Sequence, residues 1–367
     1  MSSPGYLRKA VEALAAYVPG IQPEGDDWLK LNTNENPYPP SPRVIEAVRA
    51  AADGRLALYP NPTAEPVRRA AAEAFGVEPA MVIVGNGGDE VIAMIARAFL
   101  DKGDRVVVGD PTYTLVEVLV ALQGARLTRV PLRRRDFALP ERFFGRPAKL
   151  VYLPNPNAPT GVLHPLDEID RLCEVADGVV VLDEAYVDFA RANALQLVHK
   201  YSNLIVVRTL SKAYSLAGVR VGFGVAQPEL IAGLMKVKDS YNVNALSQVA
   251  AVAALEDRAY SAECVRRVVE QREFLAAALR QLGFSVVPSE ANFIFARPPK
   301  KPARAFYDEL VSRKVLVRFF DRPGVDDGLR ITVGSEKQNH ELLKAIKLTM
   351  ITLGLNVPDT PFGVVKF

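Results

Sequence analysis

The sequence predicts an α/β fold: a large unit with a mainly parallel central sheet covered by helices, joined to a smaller α+β unit. Three observations support it. Between about Ser41 and Ala254, helical and strand-like segments alternate, which is the pattern of a parallel sheet wrapped on both faces. The strand-like runs are continuous apolar stretches rather than alternating ones, as strands buried on both sides must be. At 367 residues the chain is too long for one simple core and suits one large and one small unit. The boundaries this implies are 41–260 for the large unit, with 1–40 and 261–367 forming the small unit and its N-terminal segment.

The segment before Ser41 is rich in Pro and Asn, lacks a clear period, and is expected to lie across both units. Ser41-Pro42 opens an amphipathic helix with a capping hydroxyl followed by proline at the first helical position. Met81 to Val84, Arg105 to Val108, Leu150 to Leu153, Val179 to Leu182 and Leu204 to Val207 read as buried strands, with Val221-Gly222-Phe223 as another strand-like run. Asp89 to Leu100, Thr114 to Leu122 and Leu166 to Ala176 read as the helices between them. A long helical pattern from Tyr260 to Leu282 meets no Gly or Pro until Gly283 and serves as a connector out of the large unit. Beyond it, strand signals at Phe284 to Val287, Asn292 to Ala296, Val315 to Phe319 and Leu329 to Val333 mix with helices near Ala303 to Arg313 and Lys337 to Leu353. No repeat of solenoid period is present.

Composition excludes several function classes. A net charge of +3 is too small to suggest a nucleic-acid surface, and Arg133-Arg134-Arg135 reads as a solvated loop. Cys173 and Cys264 are too few and too far apart for a disulfide framework or a zinc site. His164, His199 and His340 are scattered without ligand spacing and read as surface or satisfied histidines. The N-terminus has no charged-then-apolar signal pattern and no apolar run approaches the ~20 residues of a membrane span, so a cytoplasmic location is expected.

In open α/β sheets the chemistry collects beyond the carboxyl ends of the strands. Five loops fall there: Gly85 to Glu90, Asp110 to Tyr113, Pro154 to Gly161, Asp183 to Tyr186, and Ser211-Lys212. Lys212 sits among small residues between two strand-like runs, where desolvation would favour a neutral, nucleophilic amine over a solvated charge. Ser211 and Arg220 add a hydroxyl and a guanidinium suited to gripping a phosphate. Gly85-Asn86-Gly87-Gly88-Asp89-Glu90 follows a strand and opens a helix, so its N–H groups and the helix dipole form an anion site. Its glycine spacing is not that of a dinucleotide or Walker loop. Asp183 ends a fully apolar strand, where a carboxylate needs a cation; a protonated pyridine nitrogen, a structural salt bridge and a magnesium ion are the alternatives. Tyr186 lies three residues on, and Tyr113 offers an aromatic plate for a flat ring.

Taken together, these loops resemble the fold-type I aminotransferases that use pyridoxal 5′-phosphate, in a consistent order from about Tyr17 to Gly334. The resemblance implies that Lys212 is the Schiff-base lysine, that Asp183 pairs with the pyridine nitrogen and that Tyr186 bonds the phenolic oxygen. It further implies that Ser211, Arg220 and the backbone of Gly88-Asp89 hold the cofactor phosphate, with Tyr113 against the ring. One departure stands out. The family has Asn immediately before Pro-Thr-Gly, whereas this chain has Ala158 there and Asn157 one place earlier. Either Asn157 substitutes through a shifted loop, or the amide contact is absent. Finer segments, Leu31 to Pro37, Leu58 to Pro62, Ala291 to Ile294 and Leu329 to Gly334, resemble the histidinol-phosphate aminotransferases. That resemblance implies a homodimer in which Tyr59 reaches the neighbouring site, with Tyr17, Arg318 and Arg330 receiving the substrate phosphate. Arg330 could instead clamp the α-carboxylate of glutamate. An aromatic-amino-acid aminotransferase, a threonine-phosphate decarboxylase and a non-catalytic ligand-binding protein are the competing readings.

Overall fold

The computed structural model describes residues 5–12, 14, 21–25 and 27–359. A short strand β1 (Leu29–Lys30) precedes the seven strands of the main sheet. These are β2 (Val82–Gly85), β3 (Arg105–Asp110), β4 (Arg126–Pro131), β5 (Leu150–Pro154), β6 (Val179–Asp183), β7 (Leu204–Thr209) and β8 (Gly222–Ala226). They lie in the order β2-β8-β7-β6-β5-β3-β4. Only β8 runs against its neighbours. The carboxyl ends of the other strands therefore share one edge with the start of β8.

Side chains alternate between two buried faces, as period-2 geometry requires. Val106, Val108, Tyr152, Val181, Ile205 and Val207 pack with the helices Gly88–Phe99, Leu115–Leu122 and Pro228–Val237. Val107, Val151, Leu153, Val180, Leu182 and Val206 pack on the opposite side with the helix Leu166–Val175. Helices Pro42–Ala51, Glu65–Phe75 and Ala245–Glu256 cover the β2 and β8 end. Ser41 caps the first of these, its Oγ accepting from the Arg43 N–H at 3.1 Å, and Pro42 follows, as expected. Such a cap contributes about 1 kcal/mol. Strand β4 has no clear apolar signal because it is the sheet's edge and mostly half-buried or exposed.

The helix Arg258–Gln281 leads into the C-terminal part. There β9 (Ser285–Val286), β10 (Phe293–Arg297), β11 (Val315–Leu316), β12 (Arg318–Phe319) and β13 (Leu329–Thr332) alternate with the helices Ala303–Ser312 and Glu336–Thr352. Strands β12-β13-β10-β9 form an antiparallel sheet. The single strand expected over Val315 to Phe319 is two strands in different sheets. Its first half, β11, pairs in parallel with β1 instead. The break lies at Val317, which is 2% exposed and packs into the C-terminal core, leaving Arg318 to enter the sheet with β13.

Residues 31–36 contact both parts. Thr332 N–H donates to Leu31 O at 3.0 Å in the C-terminal part, and Asn36 Nδ2 donates to Lys212 O at 3.0 Å beyond the main sheet. Buried Arg272 on the connecting helix donates to Phe189 O at 3.0 Å and Ala291 O at 3.2 Å, tying the two parts together from the other side.

Candidate active site

A cavity of about 660 Å³ opens at the carboxyl edge of the main sheet, against β12 and β13. Its lining includes Lys212, Asp183, Tyr186, Ser211, Arg220, Gly88, Asp89, Tyr113, Arg318 and Arg330. The topology thus brings ten of the expected site residues, drawn from distant stretches of chain, into one space. Tyr59 does not line it; this side chain is 82% exposed and stacks on Tyr241 with ring centroids 4.5 Å apart. Tyr17 lies outside the described residues.

Lys212 is half-buried, three residues beyond β7. Its Nζ donates to Thr33 O at 3.4 Å and lies 5.6 Å from the centre of the Tyr186 ring. Asp183 closes β6 and accepts from Tyr152 Oη at 2.5 Å and from the Ala185 N–H at 3.1 Å. Burial pushes its carboxyl up to about 6, against the two neutral donors that favour the charged form. Burial and the Asp183 charge together hold the Tyr152 phenol well above its ordinary range, so it remains a donor. Tyr152 was not among the expected site residues. Its signal was a lone hydroxyl in an aliphatic strand, two residues before the Pro154 that pairs with Asp183.

The helix Gly88–Phe99 begins at the cavity, offering unpaired first-turn N–H groups and the positive end of its dipole. Arg220 arches over it. Its Nη1 donates to Ser211 Oγ at 3.3 Å and its Nη2 to Asp89 Oδ2 at 3.3 Å, while Tyr113 Oη donates to Asp89 Oδ1 at 3.0 Å. A Cβ on Gly87 would stand 2.5 Å from Arg220 Nη2, and one on Gly222 2.3 Å from Gly88 N. Glycine at these two places lets the guanidinium and β8 close on the helix start. Thr112 lines the cavity, and its buried hydroxyl has no hydrogen-bond partner among the described residues. Together these groups fit a phosphate at one end of the cavity. Asp183 in turn suits a buried cation further in.

Also lining the cavity, Arg318 and Arg330 are register partners on β12 and β13, so their side chains leave the same face of the sheet. Arg330 Nη2 donates to Asn32 O at 2.8 Å, and its guanidinium lies over the Phe293 and Phe320 rings. Two further guanidiniums line the cavity and were missed in the sequence, Arg129 and Arg322. Both contact Glu117, at 2.9 and 3.2 Å, and Arg322 also reaches Asp110 at 3.3 Å. Burial raises the Glu117 carboxyl, but these two arginines outweigh it and hold the group below its ordinary value.

Asn157 corrects an expectation. Its amide is buried and donates to Thr160 Oγ1 at 2.8 Å and Pro111 O at 3.3 Å, and it is Ala158 that lines the cavity. Of the two alternatives, this geometry fits the absent amide contact. His164 also differs from expectation: it is neither at the surface nor satisfied. It is buried, Nε2 has no partner among the described residues, and burial pushes the ring down to about 4. Both cysteines are free and buried.

A family model described as aminotransferase class I and II matches residues 26–346. The chain is 45% identical over 343 residues to histidinol-phosphate aminotransferase 1 of Nostoc sp., covering 93% of this chain and 97% of that protein. It is 44% identical over 347 residues to the histidinol-phosphate aminotransferase of Geobacter sulfurreducens, covering 93% and 98%. Among solved structures, the histidinol-phosphate aminotransferase of Sinorhizobium meliloti in complex with pyridoxal 5′-phosphate superposes with a TM-score of 0.88 at 27% identity. That match covers 96% of this chain and 99% of the other.

Proposed function

This chain belongs to the class I and II aminotransferases, and we propose that it moves the amino group of L-histidinol phosphate to 2-oxoglutarate, giving imidazole-acetol phosphate and L-glutamate, with pyridoxal 5′-phosphate as cofactor. The observation that carries the reading is the registered pair Arg318 and Arg330, which line the same cavity as Lys212 and Asp183. Two guanidiniums suit a phosphate dianion better than a single carboxylate, and Arg330 also suits the α-carboxylate of glutamate in the other half-reaction.

Each remaining role follows from the chemistry of the side chain. Ser211, Arg220, Thr112 and the first-turn N–H groups at Gly88 and Asp89 hold the cofactor phosphate. Tyr113 packs beside the ring. Asp183 receives the protonated pyridine nitrogen, which gives its buried carboxylate a cation. Tyr186 bonds the phenolic oxygen. When bound, the pyridoxal ring supplies an electron sink for charge developing at the substrate α-carbon. Lys212 holds the cofactor at rest and, once displaced, its Nζ takes the α-proton as general base. The functional unit is a homodimer. Exposed Leu56, Leu58, Tyr59 and Tyr241 give the apolar patch it needs, and Tyr59 is the residue lent to the neighbouring cofactor phosphate.

Two experiments test this. Lys212→Ala is expected to lose the visible absorbance of lysine-bound cofactor and nearly all turnover; normal turnover would refute the assignment. Separate half-reactions with histidinol phosphate, phenylalanine and glutamate, followed by cofactor absorbance, are expected to favour histidinol phosphate and glutamate. A strong preference for phenylalanine would overturn the substrate while leaving the chemistry.

A further inference from the structure

We propose that Asn34 is a positioning residue that fixes the direction of the Tyr186 hydroxyl, and that this contact offsets the amide missing at Ala158. The inference rests on the cofactor reading above. Asn34 lines the cavity, is 1% exposed and has φ of 57°, a left-handed conformation that Asn accepts more readily than most residues. The C-terminal part holds it there. Asn292 Nδ2 donates to Asn34 O at 3.0 Å, and the Asn34 N–H donates to Thr332 Oγ1 at 3.0 Å.

The Thr332 hydroxyl also engages the Asn34 amide. Thr332 Oγ1 donates its proton to Asn34 Oδ1 at 3.2 Å, so the carbonyl end of the amide is taken. The NH₂ end then donates to Tyr186 Oη at 2.9 Å. A phenol oxygen that already accepts from Asn34 directs its own O–H elsewhere, into the cavity. The Tyr186 ring cannot swing to compensate, because it stands edge-on against Phe293, 5.0 Å between centroids, in a cluster with Ala158 and Ala291. With alanine at position 158, Tyr186 supplies the donor to the cofactor's phenolic oxygen that the usual amide would have shared.

Reversing the Asn34 contact tests this. In Asn34→Asp the backbone conformation is still tolerated, but the new carboxylate accepts the Tyr186 proton and turns the O–H away from the cavity. A donor on the phenolic oxygen stabilises the form in which that oxygen is charged and the neighbouring nitrogen carries no proton. Its loss should therefore raise the pH midpoint of the holoenzyme's visible colour change by about one unit, a tenfold change. The charged groups around the Tyr186 ring are Lys212, Asp183 and, across Phe293, Arg330. They are common to every variant. The direct field of the new carboxylate persists in a Tyr186→Phe background, whereas the part passed through the hydroxyl vanishes.

Most of the shift should accordingly be lost in that background, and Thr332→Val, which frees the amide to flip, should give a smaller shift of the same sign. An unchanged midpoint in Asn34→Asp, or an equal shift in both backgrounds, overturns the proposal. If Asn34→Asp fails to fold, Thr332→Val with and without Tyr186→Phe decides by the same criterion. Absence of any visible cofactor absorbance in the unmodified protein would instead refute the cofactor reading itself.

Discussion

Asp183 and Glu184 are neighbours in sequence, both are buried at the end of β6, and they are held by opposite means. Glu184 Oε2 accepts from Arg208 Nε at 3.0 Å and Nη2 at 2.7 Å, while its Oε1 accepts from the Ala194 N–H at 2.6 Å. The hydrogen-bond partners of Asp183 are a phenol and a peptide N–H, both neutral. Burial pushes both carboxyls up, but Glu184 has a guanidinium working against that push, whereas Asp183 reaches about 6. The first is a completed ion pair. The second lines the cavity with no such cation in contact among the described residues, so its charge suits something that arrives. Two adjacent buried acids thus differ by their partners, not by depth: one is paired with a guanidinium, the other bonded only to neutral donors at the cavity.

The largest effects break this comparison in opposite directions. Glu184→Gln leaves Arg208 buried without its carboxylate, and should cost about 3–5 kcal/mol of stability by urea unfolding while leaving turnover per folded molecule within a few-fold. Asp183→Asn should lower kcat/KM by about 10²–10³-fold in steady-state assays. In the cofactor-free protein the same change should stabilise at pH 7 by roughly 1–3 kcal/mol, because it removes a buried charge.

The pH dependence sharpens the point with a smaller signal. The Asp183 carboxyl lies above its ordinary value of 3.8, at about 6, so between those pH values the folded protein holds a proton that the unfolded chain has released. Its contribution to stability therefore falls as pH rises from about 4 to about 6, and is flat above that. Buried His164, pushed down to about 4, contributes a rise over the same window, so the fall is read as a difference: the stability of the cofactor-free protein minus that of Asp183→Asn, both by urea unfolding, should decrease from about pH 4 to about pH 6.

Much of this site was legible in the sequence because it depends on strand ends. Asp183, Lys212, Ser211 and the glycine turn at Gly88 each follow an unbroken apolar run, and a parallel sheet brings such ends together. What was not legible depends on register or on the partner across a contact. Tyr152 reads as one more apolar strand residue until the β5 and β6 register sets it opposite Val181, two residues from Asp183, within reach of that carboxylate. Arg129, Arg322 and Glu117 come from three separate segments and have no common spacing. Asn34 is visible in its motif, but its role needs Thr332, almost three hundred residues away. The direction of the Asn157 amide is likewise set by Thr160 and the Pro111 carbonyl, which no spacing rule supplies.

The most direct measurement is a titration of cofactor-free Asp183→Asn and Glu184→Gln with pyridoxal 5′-phosphate, followed by visible absorbance under conditions where both are folded. Glu184→Gln should load with a Kd within a few-fold of the unmodified protein, and Asp183→Asn at least about tenfold more weakly, the loss expected for a charge-assisted contact. Equal loading of the two variants would contradict the assignment of Asp183 as the acid that receives the cofactor.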